Sequence, residues 1–150
     1  MENKIYYLPI ETPNGIVNLE INHTMVNNDE ADMSVTLSTT IKGTPVSYQT
    51  ETTEKALILL AKNLPKNWHI KSCISCRYGH FCPVGNSDNE LFCVTDFAPK
   101  EPRDLWQVTE NEGERKSRSR TLFDCCDYYK AQSKDYFTYS DYYYEVTKCK

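Results

Sequence analysis

Apolar and polar residues alternate along the first half of the chain. Val17, Leu19 and Ile21 interleave with Asn18, Glu20 and Asn22, and Met33, Val35, Leu37 and Ile41 interleave with Ser34, Thr36, Ser38 and Thr40. A period of two turns one set of side chains toward a core and the other toward water, which predicts half-buried strands. The second stretch is also rich in β-branched residues, which favour the pleated backbone. Ile5 to Ile10 is a shorter apolar stretch ending near Pro9 and Pro13, and Val46 to Thr50 reads as a fourth strand. Asn14-Gly15 and Gly43-Thr44-Pro45 are turn or break signals, and Asn27-Asn28-Asp29-Glu30 is a polar turn or loop.

The period then changes. Ala56, Leu57, Leu60, Ala61 and Leu64 lie at helical spacing, and Thr52 or Thr53 can cap the start. Glu54 suits the positive end of the dipole, Lys62 suits the last turn, and Pro65 stops the run. The spacing predicts a helix over 53–64. Trp68, Ile70 and Ile74 resume a strand period. Leu91 to Phe97 and Leu105 to Thr109 are read as further strands, and Glu110 to Arg120 as an exposed charged loop. Together these elements predict a mainly β (α+β) single domain over 1–150. It is expected to hold a β-sandwich-like sheet with one central helix over 1–72 and a cysteine-containing half over 73–150.

Composition narrows the setting. The 150 residues carry a net charge of −4 and are 39% hydrophobic and 25% charged, ordinary for a globular protein. An acidic balance gives no electrostatic reason to expect nucleic acid and fits a basic protein partner better. Met1 to Ile5 contains no signal-like apolar run, and Ala56 to Ala61, the longest one, is too short to span a bilayer. A cytoplasmic protein is expected. In a reducing compartment its seven cysteines point to metal ligands or plain thiols over disulfides.

Cys73-Ile74-Ser75-Cys76 is a C-x2-C pair, a spacing at which two thiolates can face one ion, and Gly79 permits the tight backbone a knuckle needs. A structural zinc takes four protein ligands. Two sets are open: a local one of Cys73, Cys76, Cys82 and Cys93, and a distributed one of Cys73, Cys76, Cys93 and either Cys125 or Cys126. The distributed set closes a longer loop and constrains more chain. Cys149 reads as a plain tail thiol. His80 and Cys82 invite a Cys/His nucleophile reading, but no orienting group can be assigned, and no catalytic residue is put forward. His23 and His69 read as satisfied or polar-face histidines. Arg115 to Arg120 is basic, but it follows Glu110, Glu112 and Glu114 and reads as a self-neutralising stretch.

The segment from Asp127 to Glu145 holds seven tyrosines and Phe137 beside several acids. Such a segment either covers the end of a sheet or forms a recognition surface, since tyrosine is enriched at interfaces. Tyr136, Tyr139, Asp141, Tyr142 and Tyr144 are its candidate partner-binding residues.

From Cys73 onward the chain resembles a family of small bacterial proteins. The resemblance rests on Cys73-Ile-Ser-Cys76-Arg-Tyr78, Phe81-Cys82-Pro83-Val84-Gly85-Asn86, Phe92-Cys93 and Cys126-Asp127-Tyr128-Tyr129. It implies a β-rich fold and the distributed ligand set, with Cys126 ahead of Cys125 and Cys82 outside the site. Members look like toxin-neutralising immunity proteins. The expectation is a non-enzymatic, zinc-stabilised protein-binding module whose partner is a basic toxin domain. A thiol or iron–sulfur redox protein and a zinc-dependent nucleic-acid binder are the alternatives.

Overall fold

The computed structural model describes residues 2–28, 32–85 and 87–148. Cys149, Asn86 and the Asp29-Glu30 part of the polar turn lie outside the described residues. The chain is β-rich and divides into two compact units, Met1–Ile70 and Lys71–Lys150.

The first unit is a curled antiparallel meander carrying a helix, in place of a sandwich-like sheet. Strands β1 (Glu2–Thr12), β2 (Gly15–Asn28), β3 (Asp32–Ile41), β4 (Thr44–Thr50) and β5 (His69–Ile70) line up in the order β4-β3-β2-β1-β5. The alternation fixes the register: Leu8 pairs with Leu19, Tyr6 with Ile21, His23 with Leu37 and Met25 with Val35. One face thereby carries the buried Leu8, Ile10, Ile21, Val35 and Leu37. The β3–β4 connection is the two-residue turn Lys42-Gly43. Both residues have positive φ (49° and 81°), as a hairpin matching the strand twist requires.

Helix α1 (Thr53–Lys62) packs against β3 and β4 and seals that face with Ala56, Leu57 and Leu60, all fully buried. The Thr52 hydroxyl accepts from the Lys55 N–H at 3.1 Å, the expected cap. His23 is buried, shares a 2.8 Å hydrogen bond with the Thr53 hydroxyl and meets the Tyr6 ring edge-on. It is a satisfied core histidine; His69 is exposed.

The second unit holds a short sheet, β6 (Gly79–His80), β7 (Leu91–Cys93) and β8 (Ser119–Arg120), in the order β6-β7-β8. Among the described residues, three more helices join the one expected from the sequence: α2 (Trp106–Thr109), α3 (Glu112–Arg118) and α4 (Tyr142–Thr147). Leu105 to Thr109 is therefore helical, not a strand. Leu105, Val108 and Thr109 are buried at helical spacing, while Trp106 faces water. Pro102 opens the 3₁₀ turn that leads into α2. The expected loop over 110–120 contains α3, capped by Asn111, whose side chain accepts from the Glu114 N–H at 3.0 Å. Acids in its first turn and bases in its last complement the macrodipole. The strand expected over 91–97 ends at Cys93, and Ile74 lies in a 3₁₀ turn. Val94, Leu105 and Val108 form one core cluster, with Phe137 and Tyr139 packed against it.

Candidate metal centre

The C-x2-C pair sits on a backbone reversal. Cys73–Ser75 is one 3₁₀ turn, preceded by Ser72. The Ser72 N–H donates to the Ser75 hydroxyl at 3.2 Å, and that hydroxyl donates to the Ser72 carbonyl at 3.1 Å. The chain keeps turning: the Cys76 N–H donates to the Cys73 carbonyl (3.3 Å) and the Gly79 N–H to the Cys76 carbonyl (3.1 Å). Gly79 is needed for contact, not for φ. A Cβ there would lie 2.4 Å from the Cys73 carbonyl oxygen.

That close approach lets β6 run beside the turn. Gly79 pairs with Cys93 across the β6–β7 ladder, which carries a third thiol to the reversal. The fourth arrives from far along the chain. The Cys73 N–H donates to the Asp124 carbonyl at 2.7 Å, and the Ile74 N–H and Ser72 hydroxyl both donate to the Leu122 carbonyl. Gln132 closes the wrap: its N–H donates to the Ser75 carbonyl at 3.1 Å and its side-chain amide to the Ile74 carbonyl at 2.9 Å. Cys125 and Cys126 lie between these clamps.

The thiols act on one another. Burial pushes the Cys73 thiol well above its ordinary range, and Cys76, the Asp124 carboxylate, Cys93 and Cys126 add to the shift. Burial likewise raises Cys93; Arg120 and Arg118 pull it down, while Cys76 and Cys126 push it up. Cys125 is raised by burial, lowered by Lys71 and raised by Cys126 and Cys76. Cys82 is buried as well. The backbone clamps thus bring the stretch that carries Cys125 and Cys126 to the Cys73–Cys76 turn, and the β6–β7 pairing brings Cys93 to it. None of the six described cysteines forms a disulfide. Among the described residues, no group of three or more His, Cys, Asp or Glu side chains is placed so that it could hold a metal ion.

His80 serves the fold. It is buried, accepts the Tyr139 N–H at Nδ1 (3.0 Å) and stacks on Phe137; burial pushes its pKa down to about 4. The basic run is spent internally. Arg118 donates two 2.8 Å hydrogen bonds to Asp96, one to Glu114 and one to the Cys93 carbonyl.

The aromatic segment divides. Tyr142 is buried, which corrects its expected place on a recognition surface. Tyr139 packs on the Val94 cluster, and Tyr136 is held between Arg77 and the edge of Tyr78. Asp141 is exposed, and so is Tyr144, with Lys148 over its ring. Tyr128, absent from the expected set, is the most exposed large aromatic at 76%. The readable signal was its position, two residues after Cys126.

Among the described residues, no helix is long and apolar enough to cross a membrane. The chain matches no family model, no curated protein and no solved structure.

Proposed function

We propose that the chain is a non-enzymatic, zinc-stabilised protein-binding module of the cytoplasm. The observation that supports it is the backbone clamp that holds the Leu122–Gln132 stretch, which carries Cys125 and Cys126, against the Cys73–Cys76 turn, beside which Gly79 pairs with Cys93. Burial raises the Cys73 and Cys93 thiols and so favours their protonated forms. A divalent cation reverses that balance, because binding it deprotonates the ligands and returns the binding energy to the fold. Zinc suits four thiolates in tetrahedral geometry. Arg118 and Arg120, which already favour the Cys93 thiolate, would offset part of the excess charge of a four-thiolate site.

The metal's role in this reading is to anchor the segment after Cys126 and present Tyr128, with the exposed Asp127 beside it. An acidic, aromatic patch suits a basic protein, the class to which a toxin-neutralising immunity protein would bind. Elemental analysis of protein purified without added metal should give about one zinc per chain. Cys126→Ser should lower that content and Cys82→Ser should not. Metal-free protein with every thiol reactive would overturn the reading, and iron in place of zinc would favour a redox role.

A further inference from the structure

The first unit carries a second feature, remote in sequence from the cysteines. Its sheet has a water-facing side that the fold does not use. There Glu20 and Asn22 of β2, Ser38 and Thr40 of β3, and Pro45 and Ser47 of β4 line a cleft of about 590 Å³. That volume lies within the range of small-molecule sites, roughly 300–1,000 Å³.

The register shows what flanks it. Tyr7 of β1 pairs with Glu20, and Ile5 pairs with Asn22, on the same side of the sheet. Both are exposed, Tyr7 at 63% and Ile5 at 56%. An apolar strip therefore borders a grid of hydroxyl and amide groups. Neighbouring rows are internally tied: Thr24 donates to Asn3, and Gln49 to Ser34. In the cleft, Ser38 and Ser47 share a hydrogen bond at 3.1 Å. Among the described residues, the Glu20 carboxylate, the Asn22 amide and the Thr40 hydroxyl have no partner within the protein.

Charge is the unusual part. The chain is 25% charged, yet between Tyr7 and Pro45 the row holds one ionised side chain, Glu20, and the row from Ile5 to Ser47 holds none. A face kept merely for solubility draws on mixed Lys, Arg, Glu and Asp. Side chains that both donate and accept, plus one carboxylate and an aromatic ring, match a different surface. A pyranose presents hydroxyls, each donor and acceptor, around a C–H face that packs on aromatic or aliphatic groups.

We propose that this cleft binds a neutral saccharide. The Glu20 carboxylate accepts from ring hydroxyls, Asn22, Ser38 and Ser47 complete the hydrogen bonding, and Tyr7 receives the C–H face.

The test is an amide NMR titration of the full-length ¹⁵N-labelled chain with cellotetraose, chitotetraose, maltotetraose and xylotetraose in turn, each to about 10 mM, a limit that captures affinities near the millimolar range. At least one sugar should shift the amides of Glu20, Asn22, Ser38 and Ser47 saturably. Tyr7→Ala should weaken that binding about threefold to tenfold, the scale of one lost aromatic contact. Glu20→Gln should weaken it by a similar factor, with both variants retaining wild-type spectral dispersion. The same shifts should appear in Cys126→Ser, so loss of the metal reading would leave this result intact. No shift at these amides with any of the four sugars overturns the proposal. So do shifts that persist unchanged in both cleft variants, or shifts that follow protein concentration without sugar, which would mark a self-association face.

Discussion

Gly79→Ala tests the geometry of the cysteine reversal most sharply. The added Cβ would sit 2.4 Å from the Cys73 carbonyl oxygen and 3.3 Å from a Leu91 methyl. To reach even the 3.0 Å floor of real Cβ contacts, β6 and the turn must part by 3.0 − 2.4, about 0.6 Å. The oxygen cannot swing away, because it is backbone and accepts the Cys76 N–H that closes the turn. The Gly79 N–H is committed as well, to the Cys76 carbonyl. Overpacking with no flexible partner costs about 1–3 kcal/mol, and the upper end applies here. For a unit of this size each kcal/mol lowers Tm by roughly 4–8 °C, so a drop of about 12 °C or more is expected. Urea unfolding followed by circular dichroism would give the free energy directly. Gly113→Ala is the internal control. It lies within α3, where a Cβ meets only the Asn111 side chain at 3.3 Å, and Ala should gain up to about 1 kcal/mol of helix propensity. If Gly79→Ala unfolds within about 0.5 kcal/mol of wild type, the scale of an ordinary surface change, then β6 does not run against the turn and the route that brings Cys93 to Cys73 is wrong.

Four further outcomes are expected. Thr52→Ala should cost about 1 kcal/mol by removing the cap of α1, read by urea unfolding. Arg118→Ala should cost about 1 kcal/mol, because Asp96 and Glu114 are half open to water, and the loss should shrink in high salt. A proton NMR titration of His80 should find its pKa near 4, against an unfolded value near 6.5. Both states are neutral above 6.5. As pH falls toward 4 the unfolded chain takes the proton first, so folding should lose up to about 3 kcal/mol across that window; an ordinary pKa for His80 would refute its burial. Tyr128→Ala should leave Tm within about 2 °C, since its ring is exposed, while weakening any acidic-patch interaction with a basic protein measured by calorimetry.

What the sequence disclosed follows the range of the forces involved. Helix α1 was readable because its cap, apolar face and proline stop all lie within a dozen or so residues. Strands β2 and β3 were readable because their apolar residues alternate over Val17–Ile21 and Met33–Ile41. Leu105 to Thr109 misled because five residues cannot separate a period of two from one of 3.6. Helix α3 buries nothing, so it has no apolar stripe. It stands on its Asn111 cap and on pairs such as Lys116–Glu112 and Arg118–Glu114. Tyr142 and Tyr144 look alike in sequence, and only the phase of α4 sends one inward. The proximity of Cys126 to Cys73 depends on the docking of Leu122 and Asp124, which no local pattern encodes.

That docking also orders events in time. Each strand of the meander from β1 to β4 pairs with its immediate successor, so this sheet can assemble as the chain leaves the ribosome. The Ser72–Cys76 reversal cannot. Its backbone partners Leu122 and Gln132 are translated 50 to 58 residues later. Until then Cys73 and Cys76 emerge exposed, open to oxidation or to capture by stray ions. Contacts of such long separation form slowly. The reversal is therefore the late step of biogenesis, and the interval before Gln132 arrives is when the nascent chain is most vulnerable.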